Sequence, residues 1–220
     1  METPQKAPVT IAHRAGNDLA HLRRAVAAGV DFVEADIRWD GGPVARHERR
    51  VPFLPVHWDR WYFRWDTRPS LSLSVLLDLL KGAVRPYLDV KAEDRRVPAA
   101  ILEALRSRYA LSTAEVSGYW PALEALRAGA PELRLFRSVG QRPELEALLR
   151  LLGNDPLRPA GVAIDGELLT PALAAELRER ELDVYVWGVR ELTAAKQLLE
   201  WGATGIIADN LELLRALKAS

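Results

Sequence analysis

The chain has no cysteine. That excludes a disulfide framework, a thiolate metal site and a cysteine nucleophile. It has no excess of either charge, with 30 Lys and Arg against 30 Asp and Glu. Nothing global therefore draws it to nucleic acid or to an anionic membrane. No apolar run approaches the roughly 20 residues of a spanning helix. Met1 to Pro8 is polar and lacks the apolar centre of a signal segment. No G-x-G-x-x-G, P-loop or G-x-S-x-G pattern occurs, and no linker, low-complexity tract or heptad run. The expectation is a soluble, cytoplasmic protein with no transmembrane segment. Its 220 residues, 49% of them hydrophobic, suffice for one domain with a sizeable core and are short for two.

What the chain does have is a rhythm. Strand patterns at 9–12, 30–37, 86–91, 115–117, 133–136, 161–164, 184–187 and 205–208 alternate with helical patterns. The helical patterns fall at 18–28, 73–80, 95–108, 121–128, 143–152, 171–180, 191–200 and 211–218. Pro43 to His47 reads as a short extended piece, and 49–70 as an irregular stretch rich in proline and aromatics. Eight β-α units predict a single-domain (β/α)8 TIM barrel over residues 1–220, with an aromatic-rich insertion after the second strand. The other architecture is an open doubly wound sheet. It would show a glycine-rich first turn, and this turn is His13-Arg14-Ala15-Gly16-Asn17.

In such a barrel, chemistry sits where the strands end. The run Val30-Asp31-Phe32-Val33-Glu34-Ala35-Asp36-Ile37 reads as a buried strand, yet it carries two carboxylates. Residues two apart share a face, so Glu34 and Asp36 face the same way. Two adjacent charges in an apolar strand are costly, and a divalent cation between them removes the cost. Other polar residues end other strands: His13 and Arg14, Asp89 and Lys91, Ser117, Arg137, Asp165, Trp187 and Asp209, with His47 ending the short extension. One histidine or aspartate at such a place is usually structural or a helix cap. Convergence of several on one rim is what a site requires. Glu34, Asp36 and Asp89 make a hard oxygen site suited to Mg²⁺ or Ca²⁺. His13 and His47 supply an acid and a base, and Arg14 and Lys91 positive charge for an anionic substrate. This inventory points to phosphoryl-ester cleavage.

These same residues resemble the glycerophosphodiester phosphodiesterase family. Ile11-Ala12-His13-Arg14 resembles its His-Arg-Gly opening, and Val33-Glu34-Ala35-Asp36 its Glu-x-Asp pair. Pro43-Val44-Ala45-Arg46-His47 is similar to the segment bearing its second histidine, with Glu48 where an aspartate is common. Leu71-Ser72-Leu73 resembles the approach to the third strand, and Asp89-Val90-Lys91 its Glu-x-Lys. Val184 to Trp187 and Gly202 to Asp209 resemble its last two strands. The order and spacing of these matches carry the likeness more than any one of them. Asn17-Asp18-Leu19-Ala20-His21 stands where the family has Pro-Glu-Asn-Thr, Ala15-Gly16 where it has one glycine, and Asp89 where it has glutamate.

The resemblance implies metal-dependent hydrolysis of a small-molecule glycerophosphodiester to glycerol 3-phosphate and an alcohol. It implies Glu34, Asp36 and Asp89 as metal ligands, His13 and His47 as acid and base, and Arg14, Lys91 and Trp187 as substrate contacts. The alternatives are a phosphodiesterase acting on lysophospholipids and a barrel that only binds a phosphorylated ligand. The run Trp58-Asp59-Arg60-Trp61-Tyr62-Phe63-Arg64-Trp65 has five aromatics in eight residues. The preferred reading is a self-packed cluster closing the rim, or an oligomer contact. The competing readings are a cover over the substrate and a membrane contact.

Overall fold

Seven of the eight runs read as strands carry β-branched residues, the eighth (133–136) carries Phe136, and each is a strand in a computed structural model of the chain. The structure describes residues 7–51, 54–59, 62–65, 70–91, 94–108 and 110–219. β1 (Val9–Ala12) leads into α1 (Leu19–Ala28) and β2 (Phe32–Trp39). β3 (Pro43–Ala45) folds back antiparallel on β2. β4 (Arg49–Arg50), β5 (Val56–Asp59) and β6 (Tyr62–Trp65) form a separate antiparallel sheet. β7 (Leu71–Ser72) pairs with β3 and runs into α2 (Leu73–Leu80). From there strand and helix alternate: β8 (Arg85–Val90), α3 (Arg96–Ser107), β9 (Glu115–Gly118), α4 (Trp120–Gly129), β10 (Arg134–Val139) and α5 (Arg142–Leu151). β11 (Gly161–Asp165), α6 (Pro171–Glu179), β12 (Asp183–Trp187), α7 (Leu192–Trp201), β13 (Gly205–Ala208) and α8 (Leu211–Lys218) complete the chain.

Strands β1, β2 and β8 to β13 close into a parallel barrel. The closure lies in β1, which pairs with β13 from Val9↔Gly205 to Ala12↔Ala208 and with β2 at Ile11↔Phe32 and Ala12↔Val33. The open doubly wound alternative is thereby excluded. Side-chain alternation divides the apolar residues between two layers. Ile11, Phe32, Tyr87, Phe136, Ala163, Tyr185 and Ile207 fill the barrel interior, with Phe136 and Tyr185 stacked at 4.6 Å. Their neighbours, among them Ala12, Val33, Leu88, Leu135 and Ile206, face the helices. Asp18, Ser72, Thr170 and Asn210 cap the helices that follow them. No helix among the described residues is long and apolar enough to cross a membrane.

Two expectations change. Part of the stretch expected to be irregular is the β4–β6 sheet, because Val56 to Trp58 and Tyr62 to Trp65 are strong strand formers that pair with each other. Arg60 and Trp61 of the aromatic run lie outside the described residues. The second change concerns Arg137. β10 continues to Val139, so Arg137 lies within the strand and on its outward side, opposite Phe136. There it is buried, donates to Asp155 at 2.9 and 2.7 Å, and lies 4.5 Å over the Trp120 ring. It is a structural cation and no part of the rim. Removing Asp155 leaves the buried guanidinium only the exposed Glu124, 3.6 Å away and not hydrogen-bonded, so Asp155→Ala is expected to cost about 3–5 kcal/mol. Urea denaturation measures this, and a loss below about 1 kcal/mol would show that solvent or Glu124 takes over the pairing.

Candidate active site

The period of two that fills the barrel interior also builds its rim. Two residues beyond Ile11 is His13, and beyond Phe32 come Glu34 and Asp36. Beyond Tyr87 come Asp89 and Lys91, beyond Tyr185 comes Trp187, and beyond Ile207 comes Asp209. Each steps along the inward face of its strand to the C-terminal end. The strand register sets Asp36 beside Asp89, since β2 and β8 pair at Asp36↔Asp89.

Glu34, Asp36 and Asp89 each offer an oxygen, and the three oxygens lie within 4.8 Å of one another. Glu34 and Asp36 are buried. Glu34 Oε1, Asp36 Oδ1 and Asp89 Oδ1 are buried without a hydrogen-bond partner. Burial, and then the charges of Asp36 and Asp89, push the Glu34 carboxyl well above the usual range. Orphaned acidic oxygens of this kind are costly in a protein interior, and a hard divalent cation satisfies them. The donor set therefore fits Mg²⁺ or Ca²⁺.

Cationic groups hold the trio from the sides. Lys91 Nζ lies 3.4 Å from Asp36 Oδ1 and bonds Asp89 Oδ2. Burial alone would lower the Lys91 pKa, but Asp89, Asp36 and Glu34 raise it, so the ammonium stays charged. Arg14 sits in the left-handed region at φ 51°. Its backbone N–H donates to Glu34 Oε2 at 2.5 Å, and its Nε is 3.5 Å from Asp36 Oδ2. Asp36 is buried, which would raise its pKa, but Lys91, His47 and Arg14 hold it below the ordinary value.

The loop that departs from the family pattern has its own solution. Asn17 Nδ2 donates to Asp36 Oδ2 at 2.6 Å, and Asn17 Oδ1 accepts from the Asp36 N–H at 3.0 Å. The residue where a family glutamate is absent thus clamps a metal-site carboxylate, while Asp18 caps α1. The shifted glycine also has a reason. A Cβ on Gly16 would lie 2.6 Å from the Ala35 Cβ, so the loop seats against β2 only with glycine there. Likewise a Cβ on Gly118, at φ +115°, would lie 2.5 Å from Asp89 Oδ1.

Both histidines have an aspartate at Nδ1. His13 Nδ1 is 3.0 Å from Asp209 Oδ1, in hydrogen-bond geometry. The contact with His13 is the first cause of the low Asp209 pKa. His47 Nδ1 is 3.1 Å from Asp59 Oδ2 on the inserted β5, within ion-pair range but not aligned as a hydrogen bond. Burial pushes the His47 pKa down, against the opposing pull of Asp36. In each case Nε2 is the nitrogen turned away from the aspartate.

The sequence did not single out three contributors. Asp59 belongs to the insertion, and nothing in its neighbourhood marks it. Asp209 was placed on the rim without a role. Arg38, two beyond Asp36 on the same face, donates to the His47 and Lys91 carbonyls at 2.7 and 2.9 Å and so ties both segments to β2. Period two alone predicts that position. Trp187 ends β12 partly buried against the barrel interior, and its indole lies about 3.1 Å from where a Gly140 Cβ would be. The remaining polar residues are internal. Asp165 accepts from the Glu167 N–H at 2.9 Å, and Ser117 is buried on β9. His21 lies in the first turn of α1 and His57 is buried on β5 beside Arg46.

Comparison with known proteins converges on one family. Residues 117–213 match the model of the glycerophosphoryl diester phosphodiesterase family. Among solved structures, an Oleispira antarctica phosphodiesterase in complex with the product sn-glycerol-3-phosphate shares 18% identity, with 97% of this chain and 98% of that chain covered and a TM-score of 0.79. A glycerophosphodiester phosphodiesterase from Agrobacterium tumefaciens shares 16% identity, with 95% and 99% covered and a TM-score of 0.74. One from Thermotoga maritima shares 17%, with 96% and 99% covered and a TM-score of 0.69. At such identities these structures establish a shared fold. No curated protein sequence matches the chain.

Proposed function

We propose that this chain, of which residues 117–213 match the glycerophosphoryl diester phosphodiesterase family model, is a member of that family and hydrolyses glycerophosphodiesters to glycerol 3-phosphate and an alcohol. The observation that carries the proposal is the trio of buried carboxylate oxygens without a hydrogen-bond partner at Glu34, Asp36 and Asp89, on the same rim as two aspartate-backed histidines. Glu34, Asp36 and Asp89 would hold a divalent cation. When bound, that cation supplies Lewis-acid stabilisation of the negative charge developing on the phosphoryl oxygens.

The protein's own groups supply the rest. Arg14 and Lys91 place positive charge beside the carboxylates, where an anionic phosphodiester would otherwise be repelled. His47, kept neutral by burial, accepts at Nε2 the proton of the attacking hydroxyl. Asp209 accepts from His13 Nδ1, which leaves Nε2 of His13 to hand a proton to the departing alcohol oxygen. One P–O bond forms as the other breaks, and the two histidines exchange one proton each with the reacting oxygens. Trp187 lines the opposite part of the rim as an apolar contact for the substrate.

The experiment is release of glycerol 3-phosphate from glycerophosphocholine and glycerophosphoethanolamine with Mg²⁺, Ca²⁺, Mn²⁺ or a chelator, beside the His13→Ala protein. Metal-dependent release that the variant loses is the expected result. No release from folded wild-type protein with any of these metals overturns the proposal. Preferential cleavage of a long-chain lysophospholipid would move the substrate to the lipid class.

A further inference from the structure

Each carboxylate of the trio has one oxygen tied to the protein and one left over. Glu34 Oε2 accepts from the Arg14 N–H at 2.5 Å, while Glu34 Oε1 is buried with no hydrogen-bond partner among the described residues. Asp36 Oδ2 accepts from Asn17 Nδ2 at 2.6 Å and lies 3.5 Å from Arg14 Nε. Its other oxygen, Oδ1, is buried and has the Lys91 ammonium 3.4 Å away, in ion-pair range without a hydrogen bond. Asp89 Oδ2 accepts from Lys91 Nζ, while Asp89 Oδ1 is buried with no partner.

The ties are themselves held by the frame. Asn17 closes a ring on Asp36, because its Oδ1 also accepts from the Asp36 N–H at 3.0 Å. The Asn17 N–H in turn donates to the Arg14 carbonyl at 3.1 Å, and Gly16 between them seats the loop against Ala35 of β2. One loop therefore fixes both acids of β2. Lys91 is anchored as well, since its carbonyl accepts from Arg38 Nη1 at 2.9 Å.

This division of oxygens discriminates between cations. Ca²⁺ takes roughly six to eight oxygens in a flexible shell and readily uses both oxygens of one carboxylate. Mg²⁺ demands a near-octahedral shell of about six and keeps several waters in it. Turning any of the three acids to offer both oxygens costs the bond from Arg14, Asn17 or Lys91. At Asp36 that bond is a charge-assisted one to a fully buried carboxylate, the kind that is strongest.

We propose that the site selects a small six-coordinate cation of the Mg²⁺ class over Ca²⁺. Asn17 is the positioning residue that enforces the choice, by keeping the second oxygen of Asp36 away from the metal. Three single oxygens leave about three of six positions to water and substrate. The inference rests on the reading of Glu34, Asp36 and Asp89 as metal ligands and deepens it by naming the class of ion. Its readout is binding, so it stands or falls apart from turnover.

The test is calorimetric titration of the metal-free protein with Mg²⁺ and with Ca²⁺, for wild type and Asn17→Ala. Wild type should bind Mg²⁺ about threefold or more tighter than Ca²⁺. In Asn17→Ala the Mg²⁺ affinity should fall roughly tenfold, the usual effect of removing a group that orients a ligand. The Ca²⁺ affinity should fall less, because the freed Oδ2 becomes a second ligand, and the preference should shrink. Mn²⁺, an octahedral oxygen-bound ion, reports the shell itself. Electron spin-echo modulation in D₂O should count about three bound waters on the wild type and about one fewer on the variant. Both wild-type measurements decide the matter even where Asn17→Ala does not fold. Ca²⁺ bound as tightly as Mg²⁺ by the wild type, a preference that Asn17→Ala leaves unchanged, or binding of neither cation overturns the proposal. The expected preference without any release of glycerol 3-phosphate would overturn the hydrolysis reading and support this one.

Discussion

His47→Ala and His13→Ala are each expected to lower kcat by about 10²–10⁴, the usual contribution of a positioned acid or base. The two losses should not multiply fully in the double variant, because groups that act on one transition state are not additive. KM should move far less than kcat, since Arg14, Lys91 and the carboxylates remain. Both histidines lie on the rim and neither belongs to the apolar interior, so the melting temperature should stay near that of wild type. Burial holds the His47 pKa below the ordinary histidine value. A base must be unprotonated to act, so kcat/KM should fall as the pH drops through that lowered value. The plateau should extend below pH of about 6.5. In the His47→Ala protein this acid limb should disappear from whatever rate remains. A pH–rate profile of the two proteins decides the matter. Unchanged turnover in both single variants would remove the histidines from the mechanism.

The barrel and most of this rim could be read from the sequence because both follow one period. Once Ile11, Phe32, Tyr87, Tyr185 and Ile207 are taken as inward, alternation delivers His13, Glu34, Asp36, Asp89, Lys91, Trp187 and Asp209 to the same end. Arg137 shows where this reasoning is fragile. Ending the strand at Phe136 put the arginine in a loop, whereas three more residues of β10 turn it outward onto Asp155. Strand ends are set by pairing with β9 and β11, which one sequence does not display. Asp59 was illegible for a related reason. Its contact with His47 depends on how an inserted sheet lies over the rim, and that sheet is held by long-range polar contacts such as Tyr62 with Glu48. The orientation of the aromatic run followed the same contacts. Pairing puts Asp59 with Tyr62 on one face and Trp58 with Phe63 on the other, a division that composition alone does not display. The segment that departs from the family pattern was legible as a departure, but the two bonds of Asn17 to Asp36 and the capping role of Asp18 appear only in the fold.

Glu34→Gln is expected to abolish metal-dependent turnover and at the same time to leave the metal-free protein at least as stable as wild type. The two effects have one cause. In the folded protein, burial and the neighbouring Asp36 and Asp89 raise the Glu34 pKa above its value in the unfolded chain. The folded state then binds this proton more tightly than the unfolded state does. Ionising Glu34 therefore costs stability, a cost that begins above the unfolded pKa of about 4.3 and grows until the pH passes the folded value. Glutamine has nearly the same shape and no charge, so the metal-free variant should gain on the wild type as the pH rises through that window. Added cation reverses the order. At about 100 times its Kd, a ligand that binds only the folded state adds about 2.7 kcal/mol, or roughly 5–11 °C in Tm for a chain of this size. Wild-type protein should show that shift with Mg²⁺ or Ca²⁺, and more strongly at higher pH, where the carboxylates are ionised. Glu34→Gln should show little or none of it. Melting curves of both proteins across pH, with a chelator and with each metal, measure all of these terms without an activity assay. A wild type that is indifferent to cations would place the orphaned oxygens of Glu34, Asp36 and Asp89 outside any metal site. An equal shift in wild type and variant would place the metal elsewhere in the chain.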